Sequence, residues 1–140
     1  MKTLVVLAVS IVLVGILFCP MVLVAFPMPD DLQIVQPDPS LPKEISAFFG
    51  KWQGADSLVQ HFLIVEKIDK EKASLYCWNS EYHGVSGGWE RCEANVIQER
   101  GKYIVWYSGR WGIHELTLRG EYLDLKTGSQ TISPRLKRVP

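Results

Sequence analysis

Residues 99–128 read ERGKYIVWYSGRWGIHELTLRGEYLDLKTG, and this stretch decides the fold. Runs rich in Tyr, Ile, Val, Trp and Leu alternate with Arg100-Gly101, Ser108-Gly109-Arg110, Arg119-Gly120 and Thr127-Gly128-Ser129. β-Branched and aromatic residues suit a pleated, half-buried surface, while glycine next to a polar residue turns the chain, so the spacing predicts antiparallel strands joined by tight turns. Working back towards the N-terminus, further turn signals stand at Ala55-Asp56-Ser57, Asp69-Lys70-Glu71 and the loop at 84–88. Together they delimit eight expected strands at about 50–54, 58–68, 72–79, 89–98, 102–107, 111–118, 121–126 and 130–139. The expected fold class is therefore all-β. Short links favour a meander, and a meander of about eight strands removes its unpaired edges by closing into a barrel. A two-sheet sandwich of the same strands is the competing arrangement.

Upstream of the strands, residues 43–49 (KEISAFF) place Ile45, Phe48 and Phe49 at helical spacing before Gly50, which suits one or two helical turns plugging an end of the barrel. Residues 27–43 contain Pro27, Pro29, Pro37, Pro39 and Pro42 and read as an extended, polyproline-like spacer. Residues 4–26 carry no charge, and at about 1.5 Å per helical residue they are long enough to cross a roughly 30 Å hydrocarbon core. Lys2 before this hydrophobic helix and Asp30-Asp31 after it put the N-terminus in the cytosol and the rest outside. As a signal peptide, the segment would have its apolar region at 4–18 and Ala25 before the cut, but Pro20-Met21-Val22-Leu23-Val24 is too apolar for a cleavage region. An uncleaved anchor is favoured, and Phe18 before Cys19 argues against lipid attachment. The organisation expected is thus 1–26 anchor or signal peptide, 27–43 linker and 44–140 barrel. The barrel would be periplasmic or extracellular and membrane-anchored, or secreted if the segment is cleaved.

The first strand opens on Phe48-x-Gly50-Lys51-Trp52-Gln53-Gly54, which resembles the Gly-x-Trp signature of lipocalin and fatty-acid-binding barrels. That resemblance implies a tryptophan closing the barrel floor under a basic side chain from the last strand. Arg135 and Arg138 are available, and Arg138 shares strand parity with Leu136. The chain is also similar, over residues 48–139, to small secreted bacterial lipocalin-like domains of unassigned function. The motifs are Leu63-x-Val65-Glu66-x-Ile68, Tyr76-x-Trp78, Gly88-Trp89-x-Arg91 and the Arg-rich closing strand. The barrel is shorter than a true lipocalin and lacks its following helix, and short strands let a barrel fill with its own side chains.

Balanced charge, 15 cationic against 15 anionic residues without a long basic run, excludes a nucleic-acid partner. His61, His83 and His114 show no ligand spacing, so no metal is expected, and no motif calls for a cofactor. Ser86 stands in the glycine-rich loop Gly84-Val85-Ser86-Gly87-Gly88, but no strand-turn-helix context accompanies it to make a nucleophile elbow. Glu66, Glu81, Glu90 and Glu115 supply carboxylates, of which Glu66 reads as the partner of a strand arginine, so catalysis is not indicated. Cys77 and Cys92 lie symmetrically about 84–85, and a hairpin centred there would set them opposite one another as a disulfide in an oxidising compartment. Phe62-Leu63-Ile64-Val65 and Tyr103-Ile104-Val105-Trp106-Tyr107 are apolar on both faces, so an outer face needs a cover. The expected activity is binding of a small apolar or carbohydrate-like ligand at the mouth, through Tyr82, His83, Trp89 and Trp111. The alternative is a non-enzymatic interaction domain with a filled barrel.

Overall fold

A computed structural model describes residues 27–56, 59–79, 86–128 and 134–140. The anchor segment 1–26 and the loop residues Tyr82 and His83 lie outside them. One short helix, α1 (Lys43–Ser46), precedes strands β1 (Gly50–Ala55), β2 (Gln60–Ile68), β3 (Lys72–Asn79), β4 (Gly88–Glu99), β5 (Lys102–Gly109), β6 (Gly112–Arg119), β7 (Tyr122–Thr127) and β8 (Arg135–Val139). Each strand pairs antiparallel with the next, and β8 returns to β1 through Trp52↔Arg138, which closes the barrel. Closure leaves no open sheet edge and settles the choice between barrel and sandwich. The bounds agree with the sequence reading to within two residues except at β8, which begins at Arg135, and Trp111 belongs to the β5–β6 turn rather than to a strand.

Turn chemistry explains why the strands reverse where they do. The Asp69 carboxylate accepts from the amides of Glu71 and Lys72, both at 2.8 Å, and Asp56 accepts from Val59 N–H at 2.7 Å. Such side-chain acceptors stand in for backbone partners at a bend. Between turns, alternate residues point inward: Leu63 and Val65, Leu75 and Cys77, Cys92, Ala94 and Val96, Val105 and Tyr107, Leu116, Leu123 and Leu125, Leu136. All are buried in one contiguous cluster, so the barrel is filled by its own side chains.

The floor is built from α1 and the closing seam. Ile45 and Phe48 are buried beneath the strands, and the Trp52 indole donates to the Phe48 carbonyl at 2.9 Å. The Arg138 guanidinium lies 4.4 Å from the Trp52 ring centroid and donates to the carbonyls of Ala47 and Phe49. Gly54 admits the β8 backbone, since a methyl there would come within 2.6 Å of the Arg135 carbonyl oxygen. Floor turns lie at 69–71, 100–101 and 120–121; the opposite, mouth end carries the β1–β2, β3–β4, β5–β6 and β7–β8 connections.

Two expectations fail here for identifiable reasons. The Pro-rich stretch is not a free spacer. Val35 N–H donates to the Glu66 carbonyl at 2.8 Å, Gln33 N–H to the Glu66 carboxylate at 3.1 Å, and Trp89 Nε1 to the Pro27 carbonyl at 2.6 Å. Residues 27–35 therefore form a strap along the outer wall. Prolines prevent it from forming its own ladder but leave these main-chain groups available. The β2–β3 pairing shifts register between Val65 and Lys67, which frees the Glu66 carbonyl for the strap.

Cys77 and Cys92 are not bridged; both thiols are free and buried. The hairpin pairs Cys77 with Glu90 and Leu75 with Cys92, so the cysteines are diagonal neighbours on the inner wall. Diagonal Cα atoms stand about 7–8 Å apart, beyond the usual reach of a disulfide. The assumed midpoint was one residue off, and a unit error at the turn moves the partner by two.

Candidate functional site

Inward parity gives the mouth a different chemistry from the rest of the barrel. His61 follows the inward series of Leu63 and Val65, and Glu90 that of Cys92 and Ala94. His114 continues that of Leu116. Each stands at the mouth end of its strand, above the apolar filling. His61 Nε2 lies 3.1 Å from the Asp56 carboxylate, and His114 Nδ1 lies 3.0 Å from Thr127 Oγ1. The His114 ring stacks on Tyr107 with centroids 4.7 Å apart and planes 13° from parallel. The Glu90 carboxylate accepts from Arg110 N–H at 2.9 Å, and Arg110 also donates to the Ser86 carbonyl at 3.2 Å. A methyl placed on Gly109 would sit 3.5 Å from both Glu90 Oε2 and His114 Cδ2, so these groups converge around the glycine.

Burial sets the protonation states. Burial first, and then the neighbouring His61, holds the His114 imidazole below its ordinary range, with Glu90 pulling the other way. At neutral pH His114 is uncharged. Burial pushes the Cys77 thiol and the Tyr107 phenol well up, so neither supplies an anion at neutral pH. Among the described residues, no group of three or more His, Cys, Asp or Glu side chains is arranged to hold a metal ion. The mouth can hydrogen-bond and stack; it offers no ionised nucleophile among Cys77, Tyr107 and His114.

On the outer wall, Glu66 is only 1% exposed. Its carboxylate accepts from Arg91 at 2.6 Å and from Ser74 Oγ at 2.8 Å, besides Gln33 N–H. Burial alone would raise its pKa, but these three donors outweigh burial and hold it below the ordinary value. Tyr76 beside them lies edge-on to Trp89 at 6.3 Å and under the Arg91 guanidinium at 5.6 Å. Burial and then the Asp31 carboxylate raise its phenol pKa. The Tyr76 hydroxyl is buried and makes no hydrogen bond of normal geometry among the described residues.

Of the four residues expected to bind ligand, Tyr82 and His83 lie outside the described residues. Trp111 stands at the mouth rim, 40% exposed. Trp89 is on the outer wall and belongs to the strap, because it has the opposite parity to Cys92, Ala94 and Val96. That alternation was visible in the sequence. Reading it would also have found Glu90, which replaces Trp89 at the mouth. The structure brings Gly50, Trp52 and Arg138 together at the floor, and it pairs Glu66 with Arg91 of the Gly88-Trp89-x-Arg91 motif. No family model, curated protein or solved structure matches this chain.

Proposed function

We propose that the chain is a non-enzymatic interaction module, a filled lipocalin-like barrel held outside the cytoplasm by its N-terminal apolar segment. The observation that carries this reading is the buried interior. Side chains from Trp52 at the floor to Tyr107 below the mouth form one closed cluster, and the wall residues a lipid would have to touch are themselves out of solvent. Internal carriage of a fatty acid would need that cluster emptied. Titration with fatty acids, followed by tryptophan fluorescence, tests it: no saturable change is expected, and a saturable one with a 1:1 endpoint overturns the filled-barrel reading.

A second reading, a small sugar-like ligand at the mouth, is favoured by the convergence of Glu90, His114 and the His61–Asp56 pair beside the exposed Trp111. Directional polar groups with one aromatic face suit a polyhydroxylated ring better than an acyl chain. Gly109→Val would crowd that space, so oligosaccharide binding should be lost in this variant and retained in Ile97→Ser on the outer wall.

A further inference from the structure

The strap fixes more than its own path. Pro27, whose carbonyl receives the Trp89 indole N–H at 2.6 Å, follows directly on the apolar segment that ends at Phe26. One residue spans at most about 3.6 Å, so that segment leaves the barrel from beside Trp89. Trp89 is the second residue of β4 and therefore at the mouth end. Arg110 of the β5–β6 turn bonds to Ser86 and Glu90, which bracket Trp89, and so brings Trp111 and Ile113 to the same rim. Ile113 is 55% exposed, and Met28, next to the pinned Pro27, is exposed too.

From this placement we propose that the mouth rim of the barrel, through Met28, Trp111 and Ile113 with Arg110 among them, rests on the lipid surface into which residues 4–26 insert. The proposal deepens the function proposed above and rests on residues 4–26 being a retained anchor. The occupant follows from the chain itself: the membrane-spanning segment ends one residue from a point pinned to this rim. Tryptophan, aliphatic and arginine side chains together suit the headgroup boundary, where an apolar body and a polar tip are both satisfied. Other exposed apolar residues, Ile34, Val35 and Ile97, lie further along the wall; Ile34 and Val35 are on the strap beside Glu66 and Ile97 is near the floor end of β4. The strap makes the orientation specific, since a free spacer of this length would let the barrel tumble. With strands of about eight residues at about 3.3 Å each, tilted by about 40° in a closed barrel, the floor turns stand roughly 20 Å further from the bilayer.

The test uses the full-length chain in phosphatidylcholine nanodiscs doped with a gadolinium-chelating lipid, reading paramagnetic relaxation enhancement at backbone amides. Enhancement at 110–113 should exceed that at 100–101 and 120–121 several-fold. Trp89→Phe, which removes the donor to Pro27, should shrink this contrast, whereas Ile97→Ser should leave it unchanged. Equal enhancement at both ends, or a larger one at the floor, in a chain that does enter the discs overturns the orientation and leaves the anchor intact. A full-length chain that stays out of the discs overturns the anchor reading and the orientation with it.

Discussion

Gly50 carries a backbone φ of +113°, and a methyl there would lie 2.7 Å from Arg138 Nη1. One residue thus combines a conformation that side chains avoid with a space already filled by the guanidinium closing the floor. Gly50→Ala should cost about 1–3 kcal/mol of unfolding free energy in urea melts. Trp52→Ala, which removes a buried ring, should cost about 3–5 kcal/mol. Arg138→Lys keeps the charge but loses the planar fork that reaches two carbonyls while covering the ring, so a smaller loss of about 1 kcal/mol is expected. A double-mutant cycle between Trp52 and Arg138 should return a coupling of about 0.5–2 kcal/mol, and zero coupling would remove the contact as a source of stability. At the inner wall, burial raises the Cys77 thiol pKa, whereas the hydrogen bond with Cys77 lowers that of Cys92, so in the folded chain Cys77 should resist alkylation more strongly than Cys92. They should react fully on unfolding without reductant, as read by mass.

At the scale of elements, the strap and the bulge at Glu66 act as one unit. Glu66 accepts Gln33 N–H through its side chain and Val35 N–H through its main chain, two residues apart. Amide hydrogen exchange should therefore find both amides protected within a proline-rich segment that sequence alone reads as solvated. Glu66→Ala removes only the first acceptor, so protection at Gln33 should fall while that at Val35 largely persists. Loss of both would mean that the carboxylate, with Arg91 and Ser74, holds the bulge itself in place. The turn read at Asp69-Lys70-Glu71 and the plug read at 43–49 were legible because their determinants are local: an acidic cap, a helical triplet and a stopping glycine.

For the whole molecule, stability should fall with acidification in two stages. The folded pKa of His114 lies below its unfolded value near 6.5, so its contribution is complete above that pH and is lost as pH falls towards the folded value. Glu66 likewise lies below its unfolded value near 4.5, and its contribution is lost only below that pH, as the carboxylate takes up a proton. Denaturation midpoints measured from pH 8 to pH 3 should therefore begin to fall below about pH 6.5 and steepen below about pH 4.5. His114→Gln should flatten the upper stage and Glu66→Gln the lower. A profile unchanged by either variant would place the acid sensitivity elsewhere.

By itself, the sequence determined the all-β class, the eight strands and the plug before Gly50, because period-two alternation and glycine turns act over a few residues; the partnership of Trp52 with Arg138 was implied by the resemblance to lipocalin barrels, with strand parity choosing Arg138 over Arg135. That Glu66 pairs with a strand arginine was legible, and the structure identifies that arginine as Arg91. Only the tertiary structure decided what depends on register and on cover. The two-residue offset that leaves Cys77 and Cys92 unbridged is set by how β3 and β4 slide into place. Trp89 went to the outer wall because a one-residue change of parity moves a side chain to the other face of a strand. The strap over Glu66 draws on main-chain donors that every non-proline residue possesses, so no side-chain pattern announces it. The convergence of His61, Glu90 and His114 at the mouth unites three strands far apart in sequence, and only closure of the barrel brings them together.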